Sequence, residues 1–543
     1  MFKIVKMTLP YFTKYFNRVI LFIFLAILSN SIAILQPYIS GEFIDNLIMK
    51  NDYDFLSGFC LLFALVSLSS LLMGYLKTMI YINISSKSSF QFNKHVLNHI
   101  QKSSLNYASE NESSKLTQQV NNDTINLISF SLNLIQNMFT NIIYLIIPLI
   151  YIYMLNLYIF LFLLISAFCY AISYYKFKGI LFSKSYEYNN KQFEFFSKLN
   201  DQLVKIKFIK VNGLTMTYIN RINNSFTQLL EKAITYTKTG YAFTAIESVI
   251  SLLLQIAIYV TAGISVVKGN MTVGGLTIVL SYVSIVSNSL RYFFQLGKLV
   301  QENLTSYKRI SDILNMQCET NGEQILSNIN TIELNDLSYA IHNHDLFCNL
   351  NYTFEKGLIY IIRGSNGSGK STLINLVLGL YVDQIKGMIT YNNISIKNLD
   401  MNWIRRFKAS VLLQETELLA DSVNNNIYLW EDIDYNGETV SFLMEKFGLE
   451  SDVDFINKKI NDKSSNISGG EKQKISLIRC LAKEADLLIL DEPTSALDRQ
   501  SIEFLVSYLH ILKQNRIVII ITHDEEIKKY GDILINLDSV EEI

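Results

Sequence analysis

Six long apolar windows limit what this chain can fold into more than any other feature. Each is about 20 residues or longer, the length of helix needed to cross the hydrocarbon core of a bilayer. The chain is 50% hydrophobic and 17% charged, and its mean hydropathy of +0.23 is too high for an ordinary soluble protein of 543 residues. The composition therefore predicts six membrane helices, near residues 19–40, 56–80, 128–153, 157–177, 242–266 and 274–297.

The apolar stretch from 128 to 177 is too long for a single crossing. The polar step at Asn156 predicts a tight turn between two helices, outside the hydrocarbon. The apolar run near the N-terminus continues past Pro37 without a small-residue cleavage site, so we interpret it as a retained membrane helix and not as a signal peptide.

Basic residues predict the orientation in the cell membrane. They precede the first span and recur in the long segments 81–127 and 178–241, whereas the opposite loops carry little beyond Lys50 and Lys268. We therefore expect both termini and both long segments to be cytoplasmic. The long segments contain few Gly or Pro and have helical periodicity, which predicts membrane helices that extend into the cytoplasm and turn near 107–115 and 211–218.

The C-terminal part contains a phosphate-binding loop. It follows the strand-like run 358–362 and precedes a helical pattern, and its glycines let backbone N–H groups approach phosphates. Lys370 is expected to reach the β- and γ-phosphates and Ser371 to bind Mg²⁺. The candidate nucleotide-binding residues here are Gly364, Ser365, Asn366, Gly367, Ser368, Gly369, Lys370, Ser371 and Thr372.

Two further motifs follow in order. The segment from Asn466 to Glu471 contains Ser468-Gly469-Gly470, and the apolar strand 487–490 ends at Asp491-Glu492. Together with the phosphate loop they resemble an ATP-binding cassette, so the nucleotide is expected to be ATP. Several loose patterns earlier in the chain resemble the membrane domain of exporter-type half-transporters: 41–45, 122–123, 207–213 and 263–275.

The resemblance implies a multidomain chain, with an all-α six-helix transmembrane domain followed by an α/β P-loop NTPase domain. We expect the first at 1–298, a connector at 299–330 and the second at 331–543. It also implies site roles. Glu492 is the expected catalytic base, His523 the contact to the γ-phosphate, and Gln414, Ser371 and Asp491 the Mg²⁺ contacts.

The resemblance leaves the adenine contact open and implies a dimer. The family's stacking aromatic is replaced by Ile341, and Tyr339 on the same strand face is the alternative. In the family, the segment equivalent to Ser468, Gly469, Gly470 and Glu471 binds ATP held by the opposing subunit, so the partner is expected to be a second copy or a related half-transporter. Glu471 replaces the family's more usual glutamine.

Other classes of site are disfavoured. A net charge of −1 offers no basic field for nucleic acid, and the five scattered cysteines predict neither disulfides nor a zinc site. His342 and His344 lack a third metal ligand nearby.

Polar residues within the spans either line a cargo pathway or hydrogen-bond between helices. These residues are Asn30, Asn133, Gln136, Glu247, Gln255, Asn288, Arg291 and Gln295. We expect ATP-driven export of a small peptide, with export of lipids or several drugs as the alternative. A third possibility is an ATP-gated channel or regulatory subunit.

Overall fold

The computed structural model describes residues 1–50, 54–103, 113–341, 344–365, 367–429, 437–449, 453–461 and 466–539. The chain divides into two compact units. The first comprises Met1–Gln101 and Glu112–Met316, and the second comprises Lys102–Asn111 and Gln317–Ile543. The domain limits predicted at 298 and 330 stay predictions.

The described part of the first unit consists of helices joined by short turns. Six of its described helices are long and apolar enough to cross a membrane, which confirms the predicted all-α architecture of this half. The helices are α1 (Phe2–Thr13), α2 (Phe16–Lys50), α3 (Asp54–Lys102), α4 (Ser113–Leu155), α5 (Leu157–Val204), α6 (Ile206–Val211), α7 (Thr215–Val267) and α8 (Val273–Leu314).

Local sequence signals mark the breaks between these helices. Asn156 has extended backbone angles, and its side-chain oxygen accepts hydrogen bonds from the N–H groups of Tyr158 and Ile159, which begins α5. The predicted turn at Asn156 is therefore confirmed. The short helix α6 ends at Val211, and Gly213 adopts a left-handed conformation (φ 64°) before α7 starts, within the turn predicted at 211–218. Most of the turn predicted at 107–115 lies outside the described residues.

Helices α2 and α8 approach closely at two glycines. A Cβ added to Gly274 would lie 2.1 Å from the carbonyl oxygen of Gly41, so neither position has room for a larger residue. Asp45 strengthens the contact by accepting hydrogen bonds from the Gly274 N–H (2.7 Å) and the Thr272 hydroxyl (2.6 Å). The N-terminus of α8 is thereby tied to the C-terminal part of α2.

A buried ion pair joins α4 to α8. The Asp123 side chain is 4% exposed and accepts hydrogen bonds from Arg309 Nε (2.7 Å), Arg309 Nη2 (2.6 Å) and the Ser306 hydroxyl (2.7 Å). The guanidinium also lies over the ring of Phe193, 5.4 Å from its centre. Bidentate pairing of this kind satisfies the buried carboxylate of Asp123, while the Arg309 side chain stays 30% exposed.

The second unit is an α/β domain with two sheets. Its described strands are β1 (Thr331–Ile341), β2 (His344–Glu355), β3 (Ile359–Arg363), β4 (Lys386–Tyr391), β5 (Ile394–Ser395), β6 (Ala409–Leu412), β7 (Leu487–Asp491), β8 (Ile517–Ile521) and β9 (Ile533–Asn536). Its described helices are α9 (Lys370–Val377), α10 (Met401–Phe407), α11 (Val423–Ile427), α12 (Gly437–Lys446), α13 (Val453–Ile456), α14 (Gly469–Ala482), α15 (Arg499–Leu512) and α16 (Glu525–Lys528).

The larger sheet is parallel, with strand order β6-β7-β8-β3-β9, and the smaller sheet is antiparallel, with order β2-β1-β4-β5. Side chains alternate between two hydrophobic cores along the parallel strands. In β7, Leu487 and Ile489 pack into one core, and Leu488 and Leu490 pack into the other. Burial on both faces explains why these strands are continuous apolar runs, and the predicted α/β class is confirmed.

The buried ion pair generates a stability prediction. Asp123→Asn should leave the partly exposed Arg309 beside a neutral group and cost about 2 kcal/mol, because hydrogen bonds to charged groups contribute roughly 1.5–3 kcal/mol and the guanidinium keeps part of its hydration. Thermal unfolding in detergent measures the effect as a lower Tm.

The matched control is Asp201→Asn. Asp201 pairs with Lys205 at the same distance of 2.6 Å, but both side chains are about half exposed, so its loss should cost less than about 1 kcal/mol. Equal Tm shifts for the two variants would contradict a special contribution from the buried pair.

Candidate nucleotide site

The phosphate loop leaves β3 at the carboxyl edge of the parallel sheet and leads into α9. Gly369 caps α9 with a left-handed backbone (φ 88°), and a Cβ at this position would lie 2.7 Å from the ring of Phe347. Gly367 is also left-handed (φ 91°). Only glycine combines these angles with that close contact. Asn366, predicted for the same loop, lies outside the described residues.

Two charged side chains hold the beginning of the loop. Lys370 Nζ donates to the carbonyl oxygens of Gly364 (2.7 Å) and Ser365 (2.9 Å). The carboxylate of Asp538, just beyond β9, accepts from the Ser365 N–H and hydroxyl, each at 2.8 Å. The Ser365 N–H contributes most to lowering the pKa of Asp538.

Ser371 and Asp491 lie together at the carboxyl edge of the sheet. The Ser371 hydroxyl is 3.5 Å from Asp491 Oδ2, and Asp491 is 6% exposed. Burial raises the pKa of Asp491, and the neighbouring Glu492 carboxylate raises it further, whereas Ser371 and Lys370 oppose the shift. A hydroxyl and a carboxylate oxygen are the hard ligands that Mg²⁺ prefers.

Glu492 is held in a strained backbone conformation beside His523. Its φ of 49° lies in the left-handed region, which is uncommon for a residue other than glycine. Its N–H donates to the carbonyl oxygen of Ile521 (2.9 Å), and its Oε1 lies 4.0 Å from Nε2 of His523. The imidazole is more than half exposed, so the pair faces solvent at the sheet edge.

Two further predicted residues, Gln414 and Tyr339, lie on other strands or just beyond them. Gln414 follows β6 by two residues and is exposed near the carboxyl end of neighbouring β7, in which Leu490 pairs with Leu412. Tyr339 is 4% exposed and its ring stacks on Tyr381 with centroids 5.6 Å apart. The adenine contact at Tyr339 or Ile341 stays a prediction, and the burial of Tyr339 argues against it.

The segment at the start of α14 forms a capping box. The hydroxyl of Ser468 accepts from the Glu471 N–H (3.2 Å), and Glu471 Oε2 accepts from the Ser468 N–H (2.7 Å). Interaction with the Ser468 side chain, followed by its N–H, lowers the pKa of Glu471. Ser468 and Gly469 are exposed, and Gly469 has open space around its Cα. Glu471 therefore stabilises a solvent-facing helix N-terminus.

Two residues outside the predicted set also organise the site. Gln473 on α14 donates through Nε2 to the Glu492 carbonyl oxygen (3.0 Å) and the Ser495 hydroxyl (2.8 Å), and so connects the capped helix to the Asp491-Glu492 turn. Asp538 is the other. The position of Asp538 after an apolar strand was a usable signal, because carboxyl ends of parallel strands share one edge. Gln473 had no local signal.

The arrangement groups a phosphate loop, a candidate metal-binding oxygen pair and a carboxylate with a nearby imidazole at one sheet edge. This chemistry is that of a nucleotide-binding domain, here in the same chain as six helices that can span a membrane. The molecule is therefore a multi-pass membrane protein with a P-loop domain.

Family comparisons agree for both halves. The model of the ABC transporter transmembrane region matches residues 19–290, and the model described as ABC transporter matches residues 347–495. The chain belongs to the ABC transporter family.

Curated relatives include transport proteins of several names. An ATP-dependent lipid A-core flippase of Saccharophagus degradans is 28% identical over 62% of this chain and 57% of its own length. A putative export ATP-binding/permease protein of Rickettsia bellii is 30% identical over 60% of this chain and 58% of its own length. A putative multidrug export ATP-binding/permease protein of Staphylococcus aureus is 24% identical over 81% of this chain and 77% of its own length. The matches thus span little more than half of the first two relatives.

The fold also resembles a solved structure. A bacterial Atm1-family ABC exporter with ATP bound matches 96% of this chain and 94% of its own, with a TM-score of 0.84 and 17% sequence identity. At this identity the likeness establishes the exporter fold and leaves cargo undetermined.

The phosphate loop generates a binding prediction. ATP should raise the Tm of the wild type, since a ligand at 100 times its Kd stabilises the folded state by about 2.7 kcal/mol. Lys370→Met should lose this rise, because the only cationic side chain in the loop is removed. Thermal unfolding with and without ATP measures the difference.

The control is Lys397→Met, which alters an exposed lysine in the same domain. It should keep the full ATP-dependent shift. If ATP raised the Tm of the Lys370→Met protein equally, this loop would not be the ATP site.

Proposed function

We propose that the protein hydrolyses ATP to drive export of an amphipathic molecule, a lipid or a drug, across the cell membrane. The observation that carries the proposal is the convergence of Lys370, Ser371, Asp491, Glu492 and His523 on the carboxyl edge of one parallel sheet. The exporter fold of the whole chain supports the direction of transport.

Within this proposal each residue has a defined task. Lys370 and the loop amides bind the β- and γ-phosphates, with α9 presenting its positive N-terminus to them. Glu492 polarises the attacking water as general base, and His523 contacts the γ-phosphate. The contact of 4.0 Å between the two side chains supports a shared task. Gln473 and Asp538 position the turn and the loop without touching the reacting atoms.

Mg²⁺ is the proposed metal. Ser371 and Asp491 would hold it, with Gln414 as a further oxygen ligand, and the pairing of a hydroxyl with a buried carboxylate fits a hard divalent cation. The ion supplies charge neutralisation for the phosphates when bound.

The proposed working unit is a dimer. Ser468, Gly469 and Gly470 form a helix N-terminus of which the first two residues are exposed. This terminus is suited to the γ-phosphate of ATP held by the opposing subunit. Two sites would then form between chains, either two copies or this chain and a related half-transporter. The basic segments support an orientation with the ATP-binding domain and both termini in the cytoplasm.

The choice of cargo differs from the expectation drawn from the sequence. A small peptide was expected, yet two of the relatives described above are named for lipid A-core flipping and for multidrug export. We therefore propose the lipid or drug alternative in place of the peptide.

Hydrolysis is tested by Glu492→Gln. The purified protein in lipid vesicles should show Mg²⁺-dependent ATPase activity, and the variant should lose it by about a hundredfold or more, because a general base typically contributes at least that factor. Phosphate release measures the rate.

The matched control is Glu484→Gln, at the opposite end of strand β7 and exposed. It should retain wild-type activity. Persistent ATPase activity in the Glu492→Gln protein would show that Glu492 is not the general base.

Composite sites are tested by mixing two inactive chains. Gly469→Arg fills open space at the helix N-terminus, so it should fold and block only the site to which that terminus contributes. Coexpression with Lys370→Met should restore about a quarter of wild-type activity, because half of the dimers are mixed and each of these has one intact site. If each chain forms its own complete site, the mixture stays inactive.

A further inference from the structure

A buried carboxylate in the first unit has one oxygen without a hydrogen-bond partner. Glu247 lies in the apolar half of α7 and is 4% exposed, and its Oε1 makes no hydrogen bond. Across the contact between α7 and α8, Arg291 has an equally unpartnered Nε. A carboxylate oxygen, which is a hydrogen-bond acceptor, and a guanidinium N–H, which is a donor, are thus both without a partner.

The neighbouring side chains do not satisfy these two atoms. The Tyr170 hydroxyl donates to the carbonyl oxygen of Glu247 (3.4 Å) and not to its carboxylate. Gln295 lies within hydrogen-bonding reach of the carboxylate, and Arg291 acts on it through charge. Within the described part of the chain, Glu247 and Arg291 do not approach closely enough to form an ion pair with each other. One hydrogen-bonding atom on each of the two charged groups is therefore unused.

Such openness is costly within a membrane. A buried charged group without its full set of hydrogen bonds is destabilising, and ionisable residues in spans usually mark binding or transport positions. The Asp123–Arg309 pair, in which both carboxylate oxygens accept hydrogen bonds, represents the purely structural arrangement in this same chain. Glu247 and Arg291 do not follow it.

The depth of the cluster matches a lipid headgroup layer. Glu247 lies roughly 20 residues, or about 30 Å, before the end of α7, and Arg291 lies at a similar distance after the start of α8. This distance equals the thickness of the hydrocarbon core. The rings of Tyr170 and Phe294, with centroids 6.3 Å apart, add apolar surface beside the polar groups. A headgroup with its chains in the hydrocarbon would lie at the same depth as both.

We propose that Glu247 and Arg291 bind the zwitterionic headgroup of an amphiphile, with the ammonium donating to Glu247 and the anionic group accepting from Arg291. The pair has no net charge, so a net-neutral headgroup with one charge of each sign complements it. The unpartnered Oε1 needs an N–H donor, which favours a primary ammonium over a quaternary one. The inference rests on the proposed export function, of which it names the substrate class.

The wild type tests the chemistry directly. Binding to the purified protein without ATP is measured by calorimetry for four probes: dioctanoyl phosphatidylethanolamine, the corresponding phosphatidylcholine and phosphatidylglycerol, and chain-free glycerophosphoethanolamine. The ethanolamine lipid should bind about tenfold tighter than the choline lipid, which lacks N–H donors, and than the glycerol lipid, which lacks the ammonium.

Two results overturn the proposal. Equal affinity for the three lipids would mean that the cluster does not recognise the headgroup and that water or helix packing satisfies it. Equally tight binding of chain-free glycerophosphoethanolamine would assign the site to soluble zwitterions and not to an amphiphile.

Variants locate the preference. Glu247→Gln should reduce the preference for ethanolamine over choline from about tenfold to near unity, whereas Glu231→Gln should keep it. Glu231 lies on the same helix α7 but is exposed, so it matches the chemical change without touching the cluster. Arg291→Gln, as an independent variant, should weaken binding of the ethanolamine and glycerol lipids alike. A full preference in folded Glu247→Gln protein overturns the assignment.

A separate ATPase measurement distinguishes the two proposals. If hydrolysis depends on Glu492 but the wild type shows no headgroup preference, only the inference about Glu247 and Arg291 fails. If the headgroup preference is present but hydrolysis is absent, the proposed export function fails and the lipid site stands as a binding site.

Discussion

The carboxyl edge of the parallel sheet is the constraint on which the nucleotide site depends. Strands β3, β7 and β8 are held in register by parallel pairing, so Ile362 and Asp491 both lie level with Ile521. The residues that follow these strands are distant in sequence, and the pairing brings them to one edge. Because both faces of the sheet are packed against hydrophobic cores, the strands resist displacement, and short polar segments beyond them can be held in strained conformations such as that of Glu492.

The membrane half contains two clusters of charged side chains. One cluster stabilises the fold, and the other is the proposed binding site. Asp123 and Arg309 satisfy each other through two hydrogen bonds, and Ser306 adds a third. Glu247 and Arg291 are each left with an unsatisfied atom. In a medium of low dielectric constant the first arrangement is self-sufficient, whereas the second gains from a ligand that supplies a donor and an acceptor. The same physical rule thus assigns the two clusters different tasks.

Much of the architecture was predictable because it depends on local features. The length of an apolar window determines whether a helix can cross a bilayer, and a single polar residue, Asn156, was enough to locate the turn between α4 and α5. The helix capped by Gly369 and the strand ending at Asp491 were also found from local patterns. Gln473 and the burial of Tyr339 were not, since each depends on which elements pack against it.

The sequence by itself determined six apolar helices, a phosphate loop, and the order of motifs that relates the chain to ABC transporters. Hydrophobic length and glycine positions are properties of short segments, so no tertiary contact is needed to recognise them. Only the tertiary structure decided that Asp123 pairs with Arg309, 186 positions away, that Asp538 holds Ser365, and that Glu247 remains partly unsatisfied. The physical reason is that hydrogen-bond satisfaction is a property of the packed surroundings of an atom, which residues close in sequence supply only in part.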